Sequence, residues 1–204
     1  MALDKIPFVI ASSNKGKVKE FRNLLSDFPL DFIDQPEGLN VEETGKTFEE
    51  NARIKAIAAS EKTGFLSLAD DSGLSVEALD GAPGIHSSRY AKSDKERVDK
   101  LLKELEPFSN RKAKFECALC IASKNKVLLE VTGYCEGSIT FSPRGANGFG
   151  YDPIFEVDTL GVTFAEMNHY RKKEIGHRGN AFKLINSELE KLLLSLTSWF
   201  QYVN

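Results

Sequence analysis

The sequence has little to offer thiol or disulfide chemistry. Its 204 residues include three cysteines, an odd number, and only Cys117 and Cys120 fall close enough to form a C-x-x-C. That pair lies in the strand-like run FECALCIA, with no second ligand pair beside it. Residues three apart on an extended strand point to opposite faces, so buried free thiols in a reducing compartment are expected, not a zinc or redox half-site. Long apolar runs are also missing. The first, Ile6 to Ala11, falls far short of the ~20 residues that a spanning helix needs. Polar Ser-Ser-Asn-Lys follows it where a leader would carry a small-residue cleavage site. No membrane partner is expected, and the expected location is cytoplasmic. Nor is there a surplus of positive charge: 27 Lys and Arg face 30 Asp and Glu, for a net charge of -3. That balance argues against a general footprint for duplex nucleic acid, and no nucleic-acid partner is expected. Internal repeats, low-complexity tracts and linkers are absent from the sequence.

What is present suits a soluble α/β protein. Hydrophobic residues make up 41% and charged residues 28%, ordinary values for a globular chain large enough for one core or for two lobes around a cleft. IPFVIA reads as a strand, and NKGKVKEFRNLLSDF places Val18, Phe21, Leu24, Leu25 and Phe28 on one helical stripe. LDFID is a second short strand. The pair Thr47-x-x-Glu50 forms a capping box that opens a helix of about four turns. FLSLA reads as a buried strand ending at Asp70-Asp71, and DGAPG as a turn before another extended piece. A charged helix spans 94–105. Strands over 113–123 and 126–136 form a hairpin at Lys124-Asn125, and a long apolar-striped helix starts near Asn180. One domain over residues 1–204 with a mixed sheet is the expected architecture; its strand order is not legible.

Four stretches carry candidate chemistry. SSNKGK, residues 12–17, lies between the first strand and helix. Helix N-termini attract anions through unpaired N–H groups, although Ser or Asn at this place is also an ordinary cap. Glu42-Glu43 and Asp70-Asp71 offer carboxylates on separate segments, which suits Mg2+ completed by substrate phosphates and water. The same residues also read as solvated loop charges or a turn. A haloacid-dehalogenase phosphatase would need a second acid where Gly73 stands. FGYDPIF, preceded by glycines, offers Phe149 and Tyr151 as a surface for a purine ring, or else a glycine-rich turn with a core aromatic. Finally, Arg171, Lys172, Lys173, His177 and Arg178 gather beside Gly176. Such a cluster is either a solvated face or a set of donors for phosphate or purine oxygens.

The ordered blocks SSNKGK, EETGKTFEENARIKA, ADDSGL, GAPGIHSSRYA, FGYDPIF and GHRGNA resemble the inosine triphosphate pyrophosphatase family across residues 8 to 185. The resemblance implies hydrolysis of ITP, dITP or XTP to the monophosphate and pyrophosphate. It also implies Mg2+, a homodimer, and a mixed α/β fold with two lobes around an elongated cleft. Ser12, Ser13, Asn14, Lys15, Gly16 and Lys17 match the family's triphosphate-binding loop, and Lys55 matches a catalytic lysine near the phosphates. Glu43 and Asp71 match metal-binding carboxylates, with Asp71 also the general base, Asp70 either a further metal ligand or an orienter of Asp71 and a basic neighbour, and Ser72 adjoining the substrate. Phe149, Gly150, Tyr151, Asp152, Lys172, His177 and Arg178 match the nucleobase pocket. Gly176 stands where the family has serine, and Ser12-Ser13 where Thr-Gly is commoner. On this reading a 6-oxo purine accepts hydrogen bonds that the 6-amino group of adenine cannot. The competing expectations are a sister enzyme acting on pyrimidine or modified nucleotides, and a nucleotide-binding module without turnover.

Overall fold

The computed structural model describes residues 5–203. Among the described residues seven strands form one sheet in the order β2-β1-β3-β4-β5-β6-β7. Strand β1 (Ile6–Ile10) runs parallel to β2 (Leu30–Asp34) and to β3 (Leu66–Val76). Strands β4 (Lys112–Ser123) and β5 (Lys126–Ile139) follow. Then β6 (Phe155–Val157) lies antiparallel to β5 and to β7 (Val162–Thr163). The sheet is therefore mixed, as expected. The chain divides into two compact units. One comprises Met1–Asp70, Ala118–Thr132 and Ala181–Asn204, and the other Asp71–Cys117 and Gly133–Asn180.

In the first unit, β1 carries Phe8, Val9 and Ile10 fully inside, the continuous apolar run of a strand with parallel neighbours on both sides. Helix α1 (Lys15–Leu24) buries Phe21 and Leu24, and Leu25 follows them into the core. Phe28 meets Phe182 edge to face at 6.0 Å. Helix α2 (Phe48–Thr63) starts where the Thr47 side chain accepts the Glu50 N–H, and ends at Gly64 in the left-handed conformation. Its inner face is built of Ala52, Ala56 and Ala59. Those small side chains let the helix lie close to β3, whose Ser67 hydroxyl donates to the Ala56 carbonyl.

The second unit packs Leu74, Val76, Leu101, Leu105, Phe115, Ile154, Phe155 and Phe164 together. Fully burying a Leu or Phe contributes about 1.5–3 kcal/mol, so this cluster is a firm base for the loops above it. Helix α3 (Asp94–Glu104) adds Val98 and Leu101. Helix α4 (His169–Ile175) then leads through Gly176 into α5 (His177–Val203).

Three expectations are corrected. β3 does not end at the aspartates but continues through them to Val76, because Leu74 and Val76 carry on its buried pattern. Consecutive strand residues face opposite ways, so the pleat turns the adjacent carboxylates apart instead of forcing the strand to stop. The segment after DGAPG is a 3-10 helix, Gly84–Arg89, not an extended piece. Ser87 Oγ donates to the Gly84 carbonyl at 2.6 Å and accepts the Leu74 N–H at 2.9 Å, which closes the turn. The final helix begins at His177, ahead of Asn180. By contrast the hairpin turns where expected, with Lys124 and Asn125 at φ 46 and 66, the left-handed pair that a two-residue type I′ turn requires. Cys117, Cys120 and Cys135 are free and buried, and burial pushes the Cys120 and Cys135 thiols up to about 12. Among the described residues no helix is long and apolar enough to cross a membrane.

Candidate active site

The first unit gathers the loop before α1, the loop before α2, and the end of its share of β3. Asn14 caps α1: its Oδ1 accepts from the N–H groups of Gly16 at 2.9 Å and Lys17 at 3.2 Å. Ser12 Oγ accepts the Asn14 N–H at 3.3 Å. Two of the backbone donors expected to meet a phosphate are thus occupied by the cap. Ser13, Asn14 and Lys15 are exposed, while Ser12, Gly16 and Lys17 are half-buried. Lys17 turns back from the first turn of α1, and its Nζ sits 2.9 Å from Asp70 Oδ2.

The second loop is fastened to α2 at three points. Gly45 N–H donates to Asn51 Oδ1 at 2.9 Å, Lys46 N–H to Glu50 Oε2, and Lys55 Nζ to Glu43 Oε1 at 2.7 Å. A side chain at residue 45 is excluded, since its Cβ would lie 2.6 Å from Asn51 Oδ1 and 2.7 Å from Glu50 Cβ. Asn51 and Lys55 stand one turn apart on the same helical face. One holds the loop backbone and the other its carboxylate. Asn51 and Gly45 are site-building residues that the sequence reading passed over; an asparagine inside a helix, where it is an indifferent former, was the available signal.

The second unit holds the remaining candidates. Asp71 is buried in β3, and next to it Ser72 Oγ accepts from Arg178 Nη2 at 2.6 Å. Asp152 is buried, and its Oδ2 accepts from the Phe149 N–H at 2.9 Å and from Lys172 Nζ at 2.7 Å. That carboxylate pulls the loop so tight that a Cβ on Gly148, whose φ is +81, would fall 1.9 Å from Asp152 Oδ2. The Phe149 ring is half-buried, with Lys172 Nζ 4.9 Å and Arg178 Cζ 5.5 Å from its centroid. Gly150 N–H donates to Asp94 Oδ2 at 2.7 Å.

Two expected members of the base pocket are buried. Tyr151 is 4% exposed and its hydroxyl donates to the Ser87 carbonyl at 3.0 Å, so its ring is part of the core and no stacking surface. Burial raises its phenol above the ordinary range. His177 is 2% exposed, and its ring lies parallel to Phe115 at 4.6 Å. Phe115 and Phe164, which the sequence reading did not single out, form the wall behind it. Of the basic cluster, Lys172 and Arg178 are the cations that face Phe149, whereas Arg171 pairs with Glu174 at the surface. Among the described residues no three or more His, Cys, Asp or Glu side chains gather as a metal-binding group.

Each unit thus sets a lysine against a buried carboxylate, Lys17 on Asp70 and Lys172 on Asp152, in an α/β fold of the kind that binds ligands beside its strand ends. Comparison with known proteins narrows this. The chain belongs to the Ham1 family, whose model matches residues 8–188. It is 71% identical over 194 residues to a Prochlorococcus marinus (strain NATL1A) protein named dITP/XTP pyrophosphatase, covering 95% of this chain and 99% of that one. A Synechococcus sp. (strain CC9311) protein of the same name is 61% identical, covering 91% of this chain and 90% of that one. Among solved structures, a HAM1 protein from Coxiella burnetii is 44% identical with a TM-score of 0.83, covering 91% of this chain and 99% of that one. The Staphylococcus aureus Ham1 protein is 41% identical with a TM-score of 0.81, covering 91% and 98%.

Proposed function

We propose that the chain, acting as a single domain, hydrolyses deaminated purine nucleoside triphosphates (ITP, dITP and XTP) to the monophosphate and pyrophosphate. This would remove them from the nucleotide pool before they enter DNA or RNA. The reading is supported by the relatives named dITP/XTP pyrophosphatase, at identities up to 71%. The structural observation that carries it is the Lys55–Glu43 pair, fixed at 2.7 Å by a loop that Asn51 fastens. On this reading the pair supplies a cation for phosphate oxygens beside a carboxylate for a metal.

The donor chemistry fits Mg2+. Glu43 and Asp71 offer hard oxygens only, and Mg2+ takes one or two carboxylates and leaves the rest of its sphere to phosphates and water. When bound, the ion supplies charge neutralisation at the phosphates. Lys17 and Lys55 grip phosphate oxygens, together with Ser12, Ser13 and Lys15. Asp71 takes the proton of the water that attacks the α-phosphorus, and pyrophosphate leaves as one piece. In the second unit the purine stacks on Phe149, and Lys172 and Arg178 donate to its oxo groups. Ser72 orients Arg178. A site whose donors need acceptors discriminates strongly, because the 6-amino group of adenine leaves them unsatisfied. We further assign the enzyme to the cytoplasm and to a homodimer.

The test is incubation of the purified chain with ITP and Mg2+ in 18O-labelled water, with products separated. IMP and pyrophosphate in equal amounts, with the label in IMP, are expected. Orthophosphate with IDP would make the chain an ordinary triphosphatase, and label in pyrophosphate would mean attack at the β-phosphorus.

A further inference from the structure

Asp70 is a fully buried carboxylate that the proposed reaction does not use. Its side chain is 0% exposed and its Oδ2 lies 2.9 Å from Lys17 Nζ, which is itself 14% exposed. The two belong to different elements, Lys17 to α1 and Asp70 to β3, an interior strand of the sheet. Strand β1 pairs with β3 through Ile10↔Leu68, and the Ala11 N–H donates to the Leu68 carbonyl at 2.8 Å. Past that point the chain leaves for the loop before α1, while β3 runs on two residues to Asp70. Strand β1 ends here while β3 continues to Val76, and the carboxyl ends of parallel strands are where open α/β sheets bind ligands.

The pleat separates the two aspartates. Ser67 faces α2, since its hydroxyl bonds the Ala56 carbonyl. The two-residue period then puts Asp71 on the Ser67 face and Asp70 on the other. Asn14 supplies a second observation. It already accepts the Gly16 and Lys17 N–H groups, so the backbone at this helix start is engaged and the phosphate grip of the loop falls to side chains. A lysine is a poor clamp unless it is held, because its four-carbon stem samples many rotamers. Of the three N–H donors on its ammonium, the bond to Asp70 leaves others to meet a ligand.

We propose that Asp70 is a positioning residue for Lys17, not a metal ligand: its buried carboxylate holds the lysine amine where it meets a substrate phosphate. This rests on the pyrophosphatase reading above. The consequence is a division of labour along one strand, with Asp71 serving the metal and proton on the reading above and its neighbour acting through Lys17. Charge adds to the argument. Taking one member from a buried ion pair is costly, so the pair stays together as the phosphate arrives and the lysine binds it from a fixed point.

The experiment uses Asp70→Asn, Lys17→Gln, the double variant Asp70→Asn/Lys17→Gln, and Glu43→Gln, each checked by circular dichroism. The double variant replaces the ion pair by two neutral amides and keeps a folded comparison if Asp70→Asn alone is unstable. Binding of Mn2+ alone is followed by its paramagnetic resonance signal, and ITP hydrolysis gives kcat and KM. Asp70→Asn should bind Mn2+ as the parent does while raising KM for ITP about tenfold, with kcat at saturation changed by less. Glu43→Gln should lose Mn2+. The double variant should be no worse than Lys17→Gln, the non-additivity expected of residues that act through one contact. Loss of Mn2+ by Asp70→Asn to the extent seen in Glu43→Gln, or additive losses in the double variant, would overturn the assignment alone. A parent chain that hydrolyses no deaminated purine nucleotide overturns the functional reading and the assignment with it.

Discussion

The amide of Gly45 donates to Asn51 Oδ1 at 2.9 Å, and Asn51 is completely buried. Its fixed side chain therefore sets the path of the loop that delivers Glu43. Replacing Asn51 with Ala leaves a part-buried N–H without this acceptor, which costs about 1–3 kcal/mol, and frees the loop. We expect Asn51→Ala to lower the urea midpoint and to reduce ITP hydrolysis even where the chain is folded. Unchanged hydrolysis in the folded variant would mean that the loop keeps its place without Asn51.

For Asp71, the Asn variant keeps shape and volume while removing the charge and the proton acceptor. Turnover of ITP should fall by about 10²–10⁴-fold, the usual weight of a positioned general base. The far-ultraviolet spectrum should be unchanged. Hydrolysis within a few-fold of the parent would remove Asp71 from the chemistry.

How much of this was legible in the sequence depended on distance along the chain. The Thr47 cap and the Lys124-Asn125 turn were readable because a few neighbouring residues decide them. The sites of lysines and carboxylates were readable only as members of ordered motifs. Their partners were not. Lys17 meets Asp70 and Arg178 meets Ser72 across segments that only the folded sheet and helices bring together. The continuation of β3 through Asp70 and Asp71 was misjudged because charge was taken as a reason to stop. Alternation of faces removes that reason, and Leu74 and Val76 continue the pattern beyond. Nor does the sequence show that Tyr151 and His177 are buried: an aromatic ring with a polar tip suits a core position as well as a pocket.

The cysteines give a test that is independent of activity. All three are buried, and burial holds the Cys120 and Cys135 thiols up to about 12, far from the thiolate form that reacts. The native chain should be inert to a thiol reagent such as dithionitrobenzoate at neutral pH, and should release one equivalent per cysteine in denaturant. Fast labelling of the native protein would place a thiol at the surface.

The last prediction concerns the choice of base. Lys172 and Arg178 both approach the ring of Phe149, at 4.9 and 5.5 Å, and the proposed reading gives stacking to the ring and hydrogen bonding to the cations. Phe149→Ala removes a surface that every purine shares, and should lower kcat/KM for ITP and ATP by a similar factor. Arg178→Ala removes the donor proposed to read the oxo group, and should narrow the ratio of ITP to ATP hydrolysis about tenfold or more, the scale of one well-matched polar contact. Lys172→Ala should narrow the same ratio, with a complication that the geometry makes plain. Lys172 is 2.7 Å from Asp152, whose side chain is 3% exposed, and stripping the partner from a buried carboxylate destabilises by about 3–5 kcal/mol. The ratio must therefore be measured well below the melting temperature of that variant. If ITP and ATP hydrolysis fall by equal factors in both Arg178→Ala and Lys172→Ala, these cations serve the phosphates or the fold, and the base is read elsewhere.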